Sequence, residues 1–202
     1  MKQDTQISAV ISNRQLEIIE AAGKLLTTSG VSGLTIKNLA KEMGFSESAL
    51  YRHFPGKEEI IVAMLIYLAD NIDQRLQSAV SRQDSPGAKL QRMFESHIEF
   101  FKEHPHFVVA VFSDGLMEES QSINGAIMRI MNANIKHLMP IILEGQQKGV
   151  FTNAIPTEEL LHIVMGALRL QMYKWRVANF QFDLKRSGNN IIQAILTLIK
   201  KR

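Results

Sequence analysis

The segment from Thr35 to Lys57 constrains this chain more than any other. It reads Thr-Ile-Lys-Asn-Leu-Ala-Lys-Glu-Met-Gly-Phe-Ser-Glu-Ser-Ala-Leu-Tyr-Arg-His-Phe-Pro-Gly-Lys. Ile36, Leu39, Ala40 and Met43 recur at helical spacing and form one apolar face. Thr35 suits the N-cap of that helix, because its hydroxyl can accept an orphan backbone N–H of the first turn. Gly44 follows at once, where a left-handed C-cap costs a glycine least. Phe45 is placed to plug the gap before the next helix. Ser46 is a second N-cap, and Glu47 suits the positive end of the helix dipole. Ala49, Leu50 and Phe54 face inward, which leaves Glu47, Ser48, Tyr51, Arg52 and His53 outward. Pro55-Gly56 stops the helix, and Lys57-Glu58-Glu59 opens another. Two short helices around a tight turn, the second with a polar and aromatic outer face, make a helix-turn-helix pattern. Such a pattern points to duplex DNA as a partner.

A solvated helical hairpin could share this turn. Here, however, the stretch from Leu50 to Glu59 also sets three donors beside an abrupt stop, with a lysine at a new helix start. At these residues the chain resembles the TetR family of bacterial one-component repressors. The likeness rests on Leu-Tyr-x-His-Phe-x-x-Lys-Glu from Leu50 to Glu58 and on Thr-Ile-x-x-Leu-Ala-x-x-Met-Gly-Phe-Ser from Thr35 to Ser46. Gly30-Val31-x-Gly33-Leu34-Thr35 adds to it, and together these cover roughly the first third of the chain. A weaker likeness returns at Glu144-Gly145-Gln146-Gln147-Lys148-Gly149-Val150-Phe151, followed by Pro156 and Leu160. The resemblance implies an all-α protein of about nine helices. A three-helix domain with the helix-turn-helix, residues 12–57, would precede a helical domain, residues 58–202, that binds a small molecule and forms a dimer. It does not identify the ligand.

Carried onto this sequence, the resemblance places Ser46, Ser48, Tyr51, Arg52 and His53 in the major groove. Tyr51 and His53 would chiefly grip phosphate, joined by Lys57 from the next helix start and by Thr35 and Lys37 from the first reading helix. Base reading falls to Glu47, Ser48 and Arg52. An arginine can bond guanine bidentately, whereas a carboxylate can accept only from a cytosine amino group, so Glu47 is read first as a helix-start residue. Arg14 opens the bracing helix, whose apolar stripe is Leu16, Ile19, Ala22, Gly23 and Leu26. It is either a phosphate contact or an ordinary solvated arginine.

Composition removes other classes. The 202 residues hold no cysteine, which excludes disulfides, zinc fingers and thiol catalysis. Net charge is +3, and residues 1–57 carry seven Lys/Arg against five Asp/Glu. DNA binding must therefore come from a local basic face multiplied by dimerisation, not from bulk charge. No run approaches the roughly 18 apolar residues needed to span a bilayer, and no apolar leader opens the chain. A soluble, cytoplasmic protein is expected, with residues 1–11 flexible. No P-loop, nucleophile elbow or dinucleotide fingerprint occurs, so no enzyme is expected. His97, His104, His106, His137 and His162 form no His-x-x-x-His pair, and no metal site is expected from spacing.

The remainder reads as helices: residues 58–80, 88–103, 107–117, 120–145 with Pro140 expected to kink or split it, 157–179 capped by Thr157, and 188–200. Met165-Gly166-Ala167 forms a small-residue notch in the penultimate helix. Ile191, Ile192, Ile195, Leu196, Leu198 and Ile199 make the last helix apolar over a wide arc. A dimer interface through Ile163, Gly166, Ala167, Leu170, Ile191, Ile195 and Leu198 is expected, the alternative being packing within one chain. A two-fold dimer would read a near-palindromic operator.

A cavity for an apolar or amphipathic effector is expected among Met93, Phe94, His97, Phe101, Phe107, Met117, Met131, Met165, Met172 and Trp175. Phe112, Met128 and Met139 are further candidates, with plain core as the competing reading of each. Glu99, Asp114, Arg169 and Lys174 are the other polar candidates. Two rival functions stay open: a ligand-independent DNA-binding or division-control protein whose second domain meets a protein partner, and a helical enzyme or metal sensor.

Overall fold

The computed structural model describes residues 11–112 and 120–201. Nine α-helices follow one another among these residues: α1 (Asn13–Gly33), α2 (Ile36–Met43), α3 (Glu47–Tyr51), α4 (Lys57–Ala79), α5 (Pro86–Glu103), α6 (Pro105–Val111), α7 (Gln121–Gln147), α8 (Thr157–Val177) and α9 (Leu184–Ile199). The only extended pairing described is a single antiparallel bridge between Phe151 and Lys200. No helix among the described residues is long and apolar enough to cross a membrane.

Caps define the head, those at Thr35, Gly44 and Ser46 as anticipated from sequence. Ser12 and Gln15 make a reciprocal capping box at the start of α1. The Asn38 N–H donates to Thr35 Oγ1 at 3.1 Å, and the Ala49 N–H donates to Ser46 Oγ at 3.2 Å. Gly44 takes φ 67° and ψ 29°, the left-handed cap that lets the chain turn straight into α3. Ile18, Ile19, Ala22 and Leu26 of α1 bury against this unit, and Leu39, Leu50 and Phe54 face back toward them.

Beyond the head, α4 packs along α7, its most extensive partner, and also meets α5, α1 and α6. Ile60, Ile61, Met64, Leu65, Leu68, Ile72 and Leu76 are essentially inaccessible. Each such side chain contributes about 1.5–3 kcal/mol relative to exposure. The short helix α6 is wedged between α1 and α4, so it joins the head to the body.

Several boundaries differ from expectation. Helix α5 starts at Pro86 rather than residue 88, because Ser85 accepts the Ala88 N–H at 3.2 Å and Pro86 needs no donor in the first turn. Helix α6 starts at Pro105, and the part of its expected span beyond Phe112 lies outside the described residues. Helix α7 runs unbroken through Pro140. Thr157 does not cap α8. Its hydroxyl instead donates to Gln146 Oε1 at 2.6 Å, and Pro156 holds the cap position. Helix α9 starts at Leu184, capped by Asp183, and Gly188 sits inside it against Ile98.

The phrase from Glu144 to Phe151 has a physical account. A Cβ at Gly145 would fall 2.0 Å from the Phe151 ring, so only glycine admits that ring. Buried Gln146 donates to the carbonyls of Thr152 and Ile155 at 3.0 and 2.8 Å. Gly149 supplies φ 66° for the turn. The loop then bonds the end of α9, with the Thr152 N–H donating to Ile199 O at 2.7 Å.

Candidate functional site

The outer face of the head gathers the sequence candidates. Ser46, Glu47, Ser48, Tyr51, Arg52 and His53 are all exposed around α3, while Leu50 of that helix is fully buried. Tyr51 is 52% exposed although it is aromatic, which leaves its hydroxyl open to solvent or phosphate. The Ser46 and Ser48 hydroxyls share a hydrogen bond of 2.9 Å. Thr35 and Lys37 are exposed at the start of α2. Lys57 opens α4, directly after Gly56, which holds the cap position and has no side chain to cap the helix. Arg14 pairs with Glu17 at 2.5 Å and lies 5.2 Å over the Phe45 ring, beside the turn between α2 and α3. The Gln15 side-chain amide donates to the His53 carbonyl at 3.4 Å, linking α1 to the end of the reading segment.

A second feature lies in the body. A cavity of about 270 Å³ opens between α5, α7 and α8, with Ile72 of α4 and the end of α6 completing its wall. Of the sequence candidates, Met93, Phe94, His97, Phe101, Phe112, Met131, Met165, Met172 and Arg169 line it. Phe107 and Trp175 lie elsewhere. Phe107 stacks on Phe100 and Tyr67 in the core, and Trp175 packs edge-on to Phe180. Met128 is 52% exposed, and Met139 packs against the core away from the cavity. Met117 and Asp114 lie outside the described residues. Glu99 and Lys174 are on the surface. The sequence reading passed over Ile127, Ile130, Asn134, Ile135 and Leu138 of α7 and Leu161, His162, Val164 and Leu168 of α8. Asn134 had a legible signal, since it is an amide inside the apolar stripe of α7.

Among the described residues, the cavity holds one buried polar group. His97 is 3% exposed, and its Nδ1 donates to the Met93 carbonyl at 2.8 Å. That bond sets the tautomer and leaves Nε2 as an acceptor, with the Asn134 side chain close enough to interact with the ring but no full hydrogen bond to Nε2 among the described groups. Burial pushes the imidazolium down to about 4, and the Met93 carbonyl and the Asn134 side chain offset this only in part. The ring is therefore neutral near pH 7. At the rim, the exposed Arg169 guanidinium lies 4.9 Å over the Phe112 ring, the one permanent cation on the lining among the described residues.

A third feature is an exposed apolar stripe. On α8, Ile163, Leu170, Tyr173 and Val177 are between 46% and 64% exposed, and Leu198 of α9 is 78% exposed. Gly166 leaves open space beside it, so another backbone can approach there. Ala167 and Ile191 are half-buried, and Ile195 is buried within its own chain.

The family description "Bacterial regulatory proteins, tetR family" matches residues 18–64, and "YsiA-like protein, C-terminal region" matches residues 67–198. Nucleoid occlusion factor SlmA of Shewanella pealeana is 26% identical over 179 residues, 86% of this chain and 87% of its own length. Among solved structures, the fatty acid degradation regulator FadR from Bacillus halodurans superposes with a TM-score of 0.81 at 17% identity, covering 92% and 95% of the two chains. FadR from Bacillus subtilis in complex with stearoyl-CoA gives 0.80 at 18% identity, covering 91% and 98%. The TetR-family regulator PfmR from Thermus thermophilus gives 0.77 at 25% identity, covering 89% and 97%. Matched over its head and nearly all of its helical body, the chain belongs to the TetR family and is a DNA-binding regulator.

Proposed function

We propose that this regulator binds a near-palindromic operator as a homodimer and is released when a small apolar or amphipathic ligand enters the α5–α7–α8 cavity. Residues 12–57 act as the reading head and residues 58–202 as the regulatory body. The cavity carries this reading. At about 270 Å³ it is just below the ~300–1,000 Å³ usual for ligand sites, its wall is apolar, and few polar groups converge on it. His97 Nε2 would accept a bond from a hydroxyl or a protonated acid, and Arg169 would hold an anionic end at the rim. Acyl chains are the first class to try, since they combine an apolar body with a polar end and since the superposable Bacillus subtilis FadR was solved with stearoyl-CoA.

DNA contacts fall to Tyr51, Arg52, His53, Ser46, Ser48, Lys57, Thr35 and Lys37, with Arg14 at the flank. Dimerisation is through Ile163, Gly166, Leu170 and Leu198, and Tyr173 and Val177 extend the same face. A ligand in the cavity would push α7 against α4. Because α4 starts directly after the reading segment, its displacement would change the spacing of the two heads. This requires the ligand to favour one spacing over the other. The test is selection of bound duplexes from a random pool, followed by DNA titration with and without saturated fatty acyl thioesters. A palindromic site that loses affinity on ligand addition supports the reading. A palindromic site indifferent to every cavity-binding ligand sinks the release step.

A second reading is favoured by the SlmA relatives: a nucleoid occlusion factor bound to many genomic sites, with a protein partner on its body. Genome-wide occupancy separates the two. A few promoter sites indicate a regulator of particular genes, and widespread sites remote from promoters indicate the other role.

A further inference from the structure

The turn between α5 and α6 brings two histidines to one face of α1. His104 ends α5 and precedes α6, yet its side chain makes no capping hydrogen bond. Its ring lies 4.7 Å from Phe100 and edge-on to His106 at 5.8 Å. His106 packs directly over Gly23 of α1, where a Cβ would fall 2.5 Å from a ring carbon. This close approach holds His106 Nε2 3.8 Å from Glu20 Oε2, beyond hydrogen-bonding distance.

His106 is 8% exposed, and its Nε2 has no hydrogen-bond partner among the described residues. A buried nitrogen left so is rare enough to need a reason. One donor atom each from Glu20, His104 and His106 all lie within 4.8 Å of one another. The other histidines of the body are engaged: His97 with the Met93 carbonyl, His137 with Asp73 and His162 with the Glu158 carbonyl.

We propose that Glu20, His104 and His106 form a site for a divalent transition-metal ion of the zinc class, tying α1 to the α5–α6 turn. Two imidazole nitrogens and one carboxylate leave a fourth position for water, the open tetrahedral arrangement zinc accepts. The nitrogen donors disfavour calcium and magnesium, which take oxygen ligands. Bonds of ~2.0 Å place tetrahedral donors about 3.3 Å apart, so the cluster must contract slightly. His106 is fixed by its packing on Gly23, whereas the Glu20 side chain is 45% exposed and can swing inward.

The location gives the ion a consequence. Helix α1 reaches the reading segment through Gln15 and His53, and α6 reaches the cavity through Val111. An ion at Glu20 would therefore clamp the head at the end of α6 opposite the cavity.

The test uses the untagged full-length chain, stripped with a chelator and titrated with zinc by calorimetry and with cobalt by visible absorption. One ion per chain is expected, with a tetrahedral cobalt spectrum and a zinc-dependent rise in Tm. Glu20→Gln and His104→Ala, both at accessible side chains, should each weaken binding at least tenfold and abolish the Tm rise while keeping the helical circular-dichroism signal. Absence of zinc binding by the unaltered chain, or zinc binding unchanged in both variants, overturns the proposal. Because no DNA enters the measurement, its outcome is independent of the regulatory reading.

Discussion

His137 Nε2 of α7 lies 2.6 Å from Asp73 Oδ1 of α4, and Lys136 Nζ meets the same carboxylate at 2.8 Å. One turn earlier on α4, Asp70 accepts from Arg129 at 2.6 Å. Lys136 first, and His137 after burial is set against it, hold the Asp73 carboxyl below the usual carboxylate range. These pairs join the cavity-lining helix to the helix that carries the head. They are partly solvated, so they contribute little to stability, but they fix the register of α7 on α4.

That register makes Asp73→Asn a test of transmission. The variant should bind a cavity ligand about as tightly as the parent, while the ligand's effect on DNA affinity falls several-fold. Ligand titrations in the presence and absence of operator measure both quantities. The melting temperature should fall only by a few degrees, since partly solvated pairs are worth about 1 kcal/mol.

Substitutions on the reading face divide by role. Tyr51→Ala and Lys57→Ala should weaken binding to all duplexes alike, and Lys57→Ala should lower the slope of log affinity against log salt by about one. Arg52→Ala should also relax sequence preference, with about 1–3 kcal/mol lost at the base it reads. Parallel selections from a random pool decide this. Unchanged preference would make Arg52 a phosphate contact.

Acid should destabilise the fold through its buried histidines. The folded-state pKa of His97 is lowered from 6.5 to about 4. Below pH 6.5 the unfolded chain therefore takes up a proton that the folded chain refuses, and stability falls as pH drops from 6.5 toward 4. For one such group the loss between pH 7 and pH 5 is about 2 kcal/mol. His106, lowered to about 4 as well, acts in the same direction. Urea melts at the two pH values, in chelator, should show the loss, and His97→Leu should reduce it.

Dimerisation can be probed where the side chain has no duty within its own chain. Leu170 is 58% exposed on α8. Leu170→Glu should yield monomers by light scattering with the helical content retained, and operator affinity should fall because a single head meets one half-site. Dimers of unchanged affinity would move the interface to another face.

Gly145→Ala should destabilise the body by about 1–3 kcal/mol in urea, because the added methyl meets the buried ring of Phe151 at 2.0 Å. Phe151→Leu in the same background should recover part of the loss.

Sequence alone determined the reading head, since its signals act over a few residues. Thr35 and Ser46 each bond an N–H three positions on, and Gly44 needs only its own backbone freedom. The all-α class and the order of helices were legible for the same reason: periodicity is local. Choices between equally apolar partners were not. Met93 and Phe107 read alike, yet one lines the cavity and the other fills the core. Ile195 and Leu198 share one helix, yet one is 4% and the other 78% exposed. Glu20 carries no mark that it will stand beside His104 and His106, far along the chain. Tertiary structure decided these, because the fate of an apolar or ligating side chain depends on which other helix arrives next to it, and helical spacing says only which way it points.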